Sequence, residues 1–116
     1  MIIDFNKMDA TVLPNFKGGD KDFKANMFFD GINRIFKGIL EPGASIGVHT
    51  HDGSCEVIFI LEGNGTILEK DPSAAAETVT PVSAGHCLYC PKGYTHSLRN
   101  TSPEEDLVFY AVVPKQ

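Results

Sequence analysis

The histidines of this chain fall in a pattern typical of a metal site. His49 and His51 are two positions apart, so in an extended strand their side chains point to the same side. Glu56 follows after the turn-forming residues 52–54, which predicts a hairpin that brings its carboxylate beside the two imidazoles on a neighbouring strand. His96 lies at the start of a later short strand. Three imidazoles and one carboxylate form a mixed nitrogen–oxygen site that suits Zn, Fe(II), Mn, Co or Ni and leaves a position open for water or a ligand.

The remaining histidine and the cysteines have simpler interpretations. His86 follows Gly85 at a predicted turn, where a histidine is more often a satisfied polar group than a ligand. Cys87 and Cys90 form a Cys-x-x-Cys string, but three strand steps separate their Cα atoms by about 10 Å on opposite faces. A disulfide needs Cα atoms within about 7 Å. We therefore interpret both residues, and Cys55, as cysteines that pack like small hydrophobic residues.

Two further side chains are weaker candidates for a binding pocket. Tyr94 precedes His96 by two positions and is expected to share its face if the strand has begun there. Arg34 lies among apolar neighbours in a predicted strand, where it either binds an anionic substrate or faces solvent. No residue has the neighbours of a catalytic nucleophile, so catalytic residues are not assigned, and nothing indicates an organic cofactor.

The elements that must position these residues are short strands. Turn-forming pairs recur at short intervals and separate stretches rich in Val, Ile, Phe, Tyr and Thr. Asp30-Gly31 predicts a hairpin between residues 25–29 and 32–40, and residues 73–77 predict a hairpin loop. Helical periodicity never persists over a dozen residues. Short strands at this spacing indicate an all-β sandwich or barrel.

One predicted strand, residues 56–61, is apolar on both faces. Alternation places Ile58 and Ile60 with Glu56 on one face, and Val57, Phe59 and Leu61 on the other. A strand that is apolar on both faces is covered on both. The N-terminal segment or a second subunit could provide the outer cover, and we predict a homodimer.

Length and charge exclude several classes of protein. The 116 residues are enough for one domain and too few for two. Ten basic against fifteen acidic side chains give a net charge of −5 without a basic cluster, which argues against a nucleic-acid partner. Apolar runs such as residues 57–61 are far short of the roughly 20 residues that span a membrane. The N-terminus lacks the pattern of a signal peptide, and three cysteines do not form a disulfide framework. We therefore expect a cytoplasmic protein.

Residues 43–63 and 85–100 resemble the two motifs of the cupin superfamily. The first segment, from Gly43 to Gly63, matches G-x5-H-x-H-x(3,4)-E-x6-G. The second, from Gly85 to Asn100, matches G-x5-P-x-G-x2-H-x3-N, and every defining position is present in both. The resemblance implies one small cupin domain over residues 1–116, folded as an all-β jelly-roll or double-stranded β-helix barrel.

The resemblance also implies roles for the motif residues. His49, His51, Glu56 and His96 would bind one divalent transition metal inside the barrel. The motif glycines and Pro91 would serve turns and close backbone approaches, and Asn100 would brace a turn rather than contact the metal. The sequence does not choose among zinc, iron, manganese, nickel and cobalt.

Three hypotheses for function follow from the resemblance, since small cupins include isomerases, epimerases, lyases, cyclases, dioxygenases and ligand-binding domains. The first is a metal-dependent enzyme that acts on a small oxygen-rich metabolite such as a sugar acid, a sugar phosphate or an organic acid. The second is a stand-alone small-molecule binding or sensing protein without catalysis. The third is a structural or redox-accessory protein in which the metal is incidental.

Overall fold

The computed structural model describes residues 1–116, and its regular structure is almost entirely strand. Two 3₁₀ helices of three residues each cover Phe5–Lys7 and Phe16–Gly18. The ten strands are β1 Thr11–Pro14, β2 Asp22–Phe29, β3 Arg34–Leu40, β4 His49–Thr50, β5 Glu56–Glu62, β6 Asn64–Lys70, β7 Thr78–Ser83, β8 Cys87–Cys90, β9 Thr95–Asn100 and β10 Leu107–Val113. Neither helical segment approaches the length and apolar character that a membrane-crossing helix needs.

The strands form two antiparallel sheets. The first has six strands in the order β1-β2-β3-β10-β5-β8, and the second has four in the order β4-β9-β6-β7. Side chains from both sheets form one buried core, in which Phe23, Phe36 and Phe109 contact one another with ring centroids 5.9 to 6.2 Å apart. The predicted all-β jelly-roll barrel is confirmed.

The predicted hairpin around Asp30 is present, but its second strand begins at Arg34 rather than at residue 32. β2 pairs with β3, with Phe29 opposite Arg34. One carboxylate oxygen of Asp30 accepts hydrogen bonds from the backbone N–H groups of Ile32 and Asn33, at 2.8 and 2.6 Å. These N–H groups are used by the turn and are unavailable to the sheet, so β3 starts at Arg34. Residues 71–77 form the loop predicted between β6 and β7.

Asn100 holds together the segments that follow β3 and β9. Its side chain is 1% exposed, and its Nδ2 group donates hydrogen bonds to the carbonyl oxygens of Leu40 and Glu105, at 2.9 and 2.8 Å. Its Oδ1 atom accepts a hydrogen bond from the backbone N–H of Ser102. The expectation that Asn100 braces a turn is confirmed.

The outer face of the six-stranded sheet is partly uncovered in one chain. On β5, Glu56, Ile58 and Ile60 are buried, whereas Phe59 is 46% exposed. The first 3₁₀ helix covers part of this face, since the ring of Phe5 stacks on Tyr110 with centroids 5.4 Å apart. Tyr110 is nevertheless 40% exposed, so one chain leaves parts of the outer faces of both β10 and β5 in contact with solvent.

Candidate metal centre

The four predicted metal ligands converge inside the barrel from both sheets. His49 on β4 pairs with His96 on β9, and His51 follows β4 by one residue. Glu56 is the first residue of β5, in the opposite sheet. The predicted hairpin between the two histidines and Glu56 is therefore wrong. The segment after β4 crosses from one sheet to the other, so the carboxylate faces the imidazoles across the interior.

The distances among the four side chains fit one divalent ion. The Nε2 atom of His96 lies 3.1 Å from Nε2 of His51 and 3.2 Å from Nε2 of His49. The Oε1 atom of Glu56 lies 2.9 Å from Nε2 of His96 and 3.2 Å from Nε2 of His51. With metal–nitrogen bonds near 2.1 Å, donors at right angles around an ion are about 3 Å apart. The four donor atoms, all within 4.8 Å of one another, therefore form a possible metal site.

Backbone and hydroxyl contacts orient two of the imidazoles. Nδ1 of His49 lies 2.7 Å from the carbonyl oxygen of Gly47. Because a carbonyl can only accept, Nδ1 carries the hydrogen, and Nε2 of the neutral ring presents its lone pair to the other donors. Nδ1 of His51 lies 2.8 Å from Oγ of Ser54. Contacts of this kind fix the ring orientation of metal-binding histidines.

Gly47 is itself held by the N-terminal part of the chain. Its N–H donates a hydrogen bond of 2.9 Å to the carbonyl of Phe16. Its Cα approaches the carbonyl of Lys17 so closely that a Cβ atom would collide with it. Glycine is therefore required here, and the second 3₁₀ helix fixes the carbonyl that orients His49.

The electrostatics of the centre favour the protonation states that a metal needs. Burial alone would raise the pKa of Glu56, but hydrogen bonds with His51 and His96 and the nearby imidazoles lower that pKa to about 2. Burial lowers the pKa of His49, and the two neighbouring imidazoles add to this effect. An ionised carboxylate and neutral imidazoles are the forms that bind metal ions.

The centre opens into a cavity of about 570 Å³, a size usual for small-molecule sites. Half of its lining residues are hydrophobic, including Leu13 and Phe16 from the N-terminal segment. Three charged side chains besides Glu56 line it: Lys17, Arg34 and Asp52. The cavity is thus a mostly apolar space with the four donors and a few charged groups on its wall.

The weaker candidates from the sequence separate into two groups. Arg34 lines the cavity and is also exposed to solvent, so it meets a condition of each of its two interpretations. The expectation for Tyr94 is wrong, because its hydroxyl donates a hydrogen bond of 2.8 Å to Asp71 and the residue does not line the cavity. Tyr94 still belongs to the turn before β9, so strand alternation with His96 does not apply. His86 is a satisfied polar group whose Nδ1 accepts the N–H of Ser83.

The three cysteines are unpaired. Cys55 and Cys90 are buried, as expected for small hydrophobic residues, whereas Cys87 is exposed and the expectation for it is wrong. Cys87 points outward because it occupies the opposite face of β8 from Cys90. Burial, together with the charges of Glu56 and Glu69, raises the pKa of Cys90 to about 12, so its thiol stays protonated.

Sequence reasoning missed Ser54 and the N-terminal wall of the cavity. From the sequence, Ser54 is only one of the turn-forming residues 52–54, although its position three residues after His51 within a turn is a usable signal. Leu13, Phe16 and Lys17 reach the cavity only because the chain folds back over residues 45–47. No local pattern in the sequence indicates that long-range contact.

Comparison with known proteins agrees with this architecture. Residues 36–113 match the sequence model of the cupin domain family. An oxalate-binding protein of Thermotoga maritima is 35% identical over 74 residues, which cover 64% of this chain and 55% of that protein. The matched region thus spans about half the length of this relative.

Solved structures show the same fold over a larger part of the chain. A crystal structure described as a predicted oxalate decarboxylase from Thermotoga maritima superposes with a TM-score of 0.87 at 25% identity and covers 100% of both chains. The cupin domain of Cnp3 from Schizosaccharomyces pombe gives a TM-score of 0.74 at 13% identity. That alignment covers 100% of this chain and 74% of the other, and it shows a similarity of fold alone.

Proposed function

This chain belongs to the cupin domain family, and on that premise we propose that His49, His51, Glu56 and His96 bind one divalent transition metal ion. The spacing of their donor atoms, within 4.8 Å of one another, is the observation that carries this proposal. Zinc, iron, manganese, nickel and cobalt all accept such a donor set. The bound ion would supply a Lewis acid for a carboxylate or carbonyl oxygen of a ligand.

The ligand that we propose is a small organic acid of the oxalate type. Two comparisons support this class: a curated Thermotoga maritima protein is described as oxalate-binding, and a crystal structure from the same organism is described as that of a predicted oxalate decarboxylase. Half of the residues that line the cavity are apolar, and two cationic side chains on its wall, Lys17 and Arg34, could pair with anionic groups of a ligand. A metal-dependent enzyme that acts on such an acid is the leading function. Binding without turnover is the second, favoured by the description of the oxalate-binding relative.

One experiment separates these functions. Purified protein is analysed for Fe, Mn, Ni, Co and Zn, and is then titrated with oxalate by calorimetry. About one equivalent of metal and stoichiometric binding support the site, and loss of oxalate over time, followed by chromatography, supports an enzyme. Stable binding without loss of oxalate supports the binding protein. Failure to bind any of these metals after reconstitution contradicts the proposal.

Replacing Ser54 with alanine is expected to weaken metal binding by roughly tenfold. The change removes the hydroxyl that lies 2.8 Å from Nδ1 of His51 and leaves the four donors in place. Competition with a coloured chelator measures the affinity. The matched control is Ser73→Ala, because Ser73 is exposed and bonds only to Asp71. Equal affinities for the two variants would contradict a role for Ser54 in orienting His51.

We also propose that the outer face of the six-stranded sheet forms a homodimer. The strand registers place five apolar side chains in one continuous row across β2, β3, β10, β5 and β8: Phe28, Ile35, Val112, Val57 and Tyr89. Phe59 lies in the neighbouring row beside Tyr110. A second copy would bury this row and supply the outer cover that β5 lacks.

The dimer is tested by sedimentation of the protein and of Phe59→Lys at micromolar concentration. We expect a dimer for the unchanged protein and a monomer for the variant, because a buried unpaired ammonium is costly at an interface. Val79→Lys is the control, since Val79 is 60% exposed and lies on the other sheet. A monomeric unchanged protein, or a dimeric Phe59→Lys variant, would show that this face is not the interface.

A further inference from the structure

We infer that Arg34 binds the second anionic group of the ligand, so that the cavity selects acids with two anionic groups over acids with one. This inference rests on the proposed function, because the metal centre must hold the other end of the ligand. Arg34 is then the residue that determines specificity. It acts on ligand binding and has no part in holding the metal.

The register of the six-stranded sheet aligns Arg34 with the metal centre. Alternate residues of a strand share a face, so Arg34 lies on the same inward face of β3 as Phe36 and Leu40. It pairs with Val113 on β10. Val112 pairs with Val57 on β5, so the next position brings Val113 opposite Glu56. Arg34 and Glu56 therefore lie in one inward-facing row, separated by two strand spacings, or about 10 Å between Cα atoms.

The guanidinium of Arg34 has no partner in the protein. The ion pairs of the structure join Glu56 to His51 and to His96, and Arg99 to Asp20. Arg34 is exposed and makes no side-chain hydrogen bond, and its Cζ lies 4.3 Å from the ring centroid of Phe29, its partner on β2. This contact supports the planar group while its N–H donors remain available. Such a group is suited to a carboxylate, which it binds through two parallel hydrogen bonds.

The charges on the cavity wall favour a dianion. Lys17 and Arg34 are balanced by Asp52 and Glu56, so the wall has no net charge when the histidines are neutral. A divalent ion at the centre adds two positive charges, and a ligand with two negative charges neutralises them. Val113 lies between Arg34 and the centre in the same row and lines the cavity. The middle of the ligand would therefore contact an apolar side chain, as the carbon chain of a short dicarboxylate can.

Calorimetric titration of metal-loaded protein tests this inference. The ligands are oxalate, malonate, succinate and glutarate, with acetate and butyrate as acids that carry one carboxylate. We expect one of the dicarboxylates to bind at least ~10-fold more tightly than the monocarboxylates, as a charge-assisted bidentate contact allows. Arg34→Gln is expected to abolish this preference while its metal content stays unchanged and its affinity for acetate falls by less than about threefold. Arg34→Lys should keep part of it, because it retains the charge without the planar fork.

Lys17→Gln is the matched control, because it removes the other cation of the cavity wall from a position outside the row of Arg34 and Glu56. Its effect on the preference for dicarboxylates should be less than about threefold, since only a nearby charge is lost. Equal losses in the two glutamine variants would overturn the inference and indicate a general effect of charge. An unchanged preference in Arg34→Gln would overturn it directly. Unchanged protein without bound metal would contradict the proposed function, and elemental analysis detects that failure before any titration.

Discussion

His51→Ala is expected to lower the affinity for metal by ~100-fold or more and to leave the purified protein nearly metal-free. This exceeds the usual loss when only an orienting partner of a ligand is removed. His51 is close to two of the other donors, because its Nε2 atom is 3.2 Å from Oε1 of Glu56 and 3.1 Å from Nε2 of His96. Without it, two imidazoles and one carboxylate remain, and the ion loses a strong nitrogen donor on one side. Elemental analysis and chelator competition measure the change.

The control for this prediction is His86→Ala. His86 is also a histidine next to a turn, but its ring bonds to the backbone of Ser83 and does not line the cavity of the metal centre. We expect it to keep about one equivalent of metal. Circular dichroism of both variants establishes that the barrel is folded, so that loss of metal is not a consequence of unfolding. Full metal content in folded His51→Ala would remove His51 from the ligand set.

Asn100→Ala is expected to lower the free energy of unfolding by roughly 2–4 kcal/mol, because it leaves several buried groups without partners. The carbonyls of Leu40 and Glu105 and the N–H of Ser102 all lose their hydrogen bonds to the side chain. Urea unfolding of the metal-free protein measures the loss separately from metal binding.

Asn64→Ala provides the comparison for Asn100→Ala. Asn64 is exposed at the start of β6 and makes no side-chain hydrogen bond, so its replacement should change the free energy of unfolding by less than about 0.5 kcal/mol. If both variants unfolded at the same urea concentration, the three hydrogen bonds of Asn100 would not stabilise the fold as argued.

The sequence was sufficient to identify the side chains that lie together at the centre, but it did not predict which strands and connections bring them there. His49 and His51 could be grouped because a two-residue spacing in a strand fixes their relative direction. Glu56 was correctly grouped with them, but the segment that connects it to His51 was wrongly predicted to form a hairpin. A turn-forming segment looks the same whether it closes a hairpin or crosses between two facing sheets, and only the pairing of β4 with β9 distinguishes the two.

The cavity wall was less predictable than the donors. Strand alternation failed for Tyr94, since a turn held by a hydrogen bond from its N–H to the carbonyl of Pro91 precedes β9. Lys17 reaches the cavity through a long-range contact with Gly47, which no local pattern encodes. The outward face of β5 was read correctly from alternation, because that depends only on the two-residue period.

The N-terminal wall of the cavity has a consequence for how such proteins diversify. Every donor atom belongs to the span that matches the family, residues 36–113, whereas Leu13, Phe16, Lys17 and Arg34 all precede it. Substitutions before residue 36 can therefore change one part of the cavity wall without altering any of the four donor residues. Related proteins with the same four donors can differ in this part of the wall.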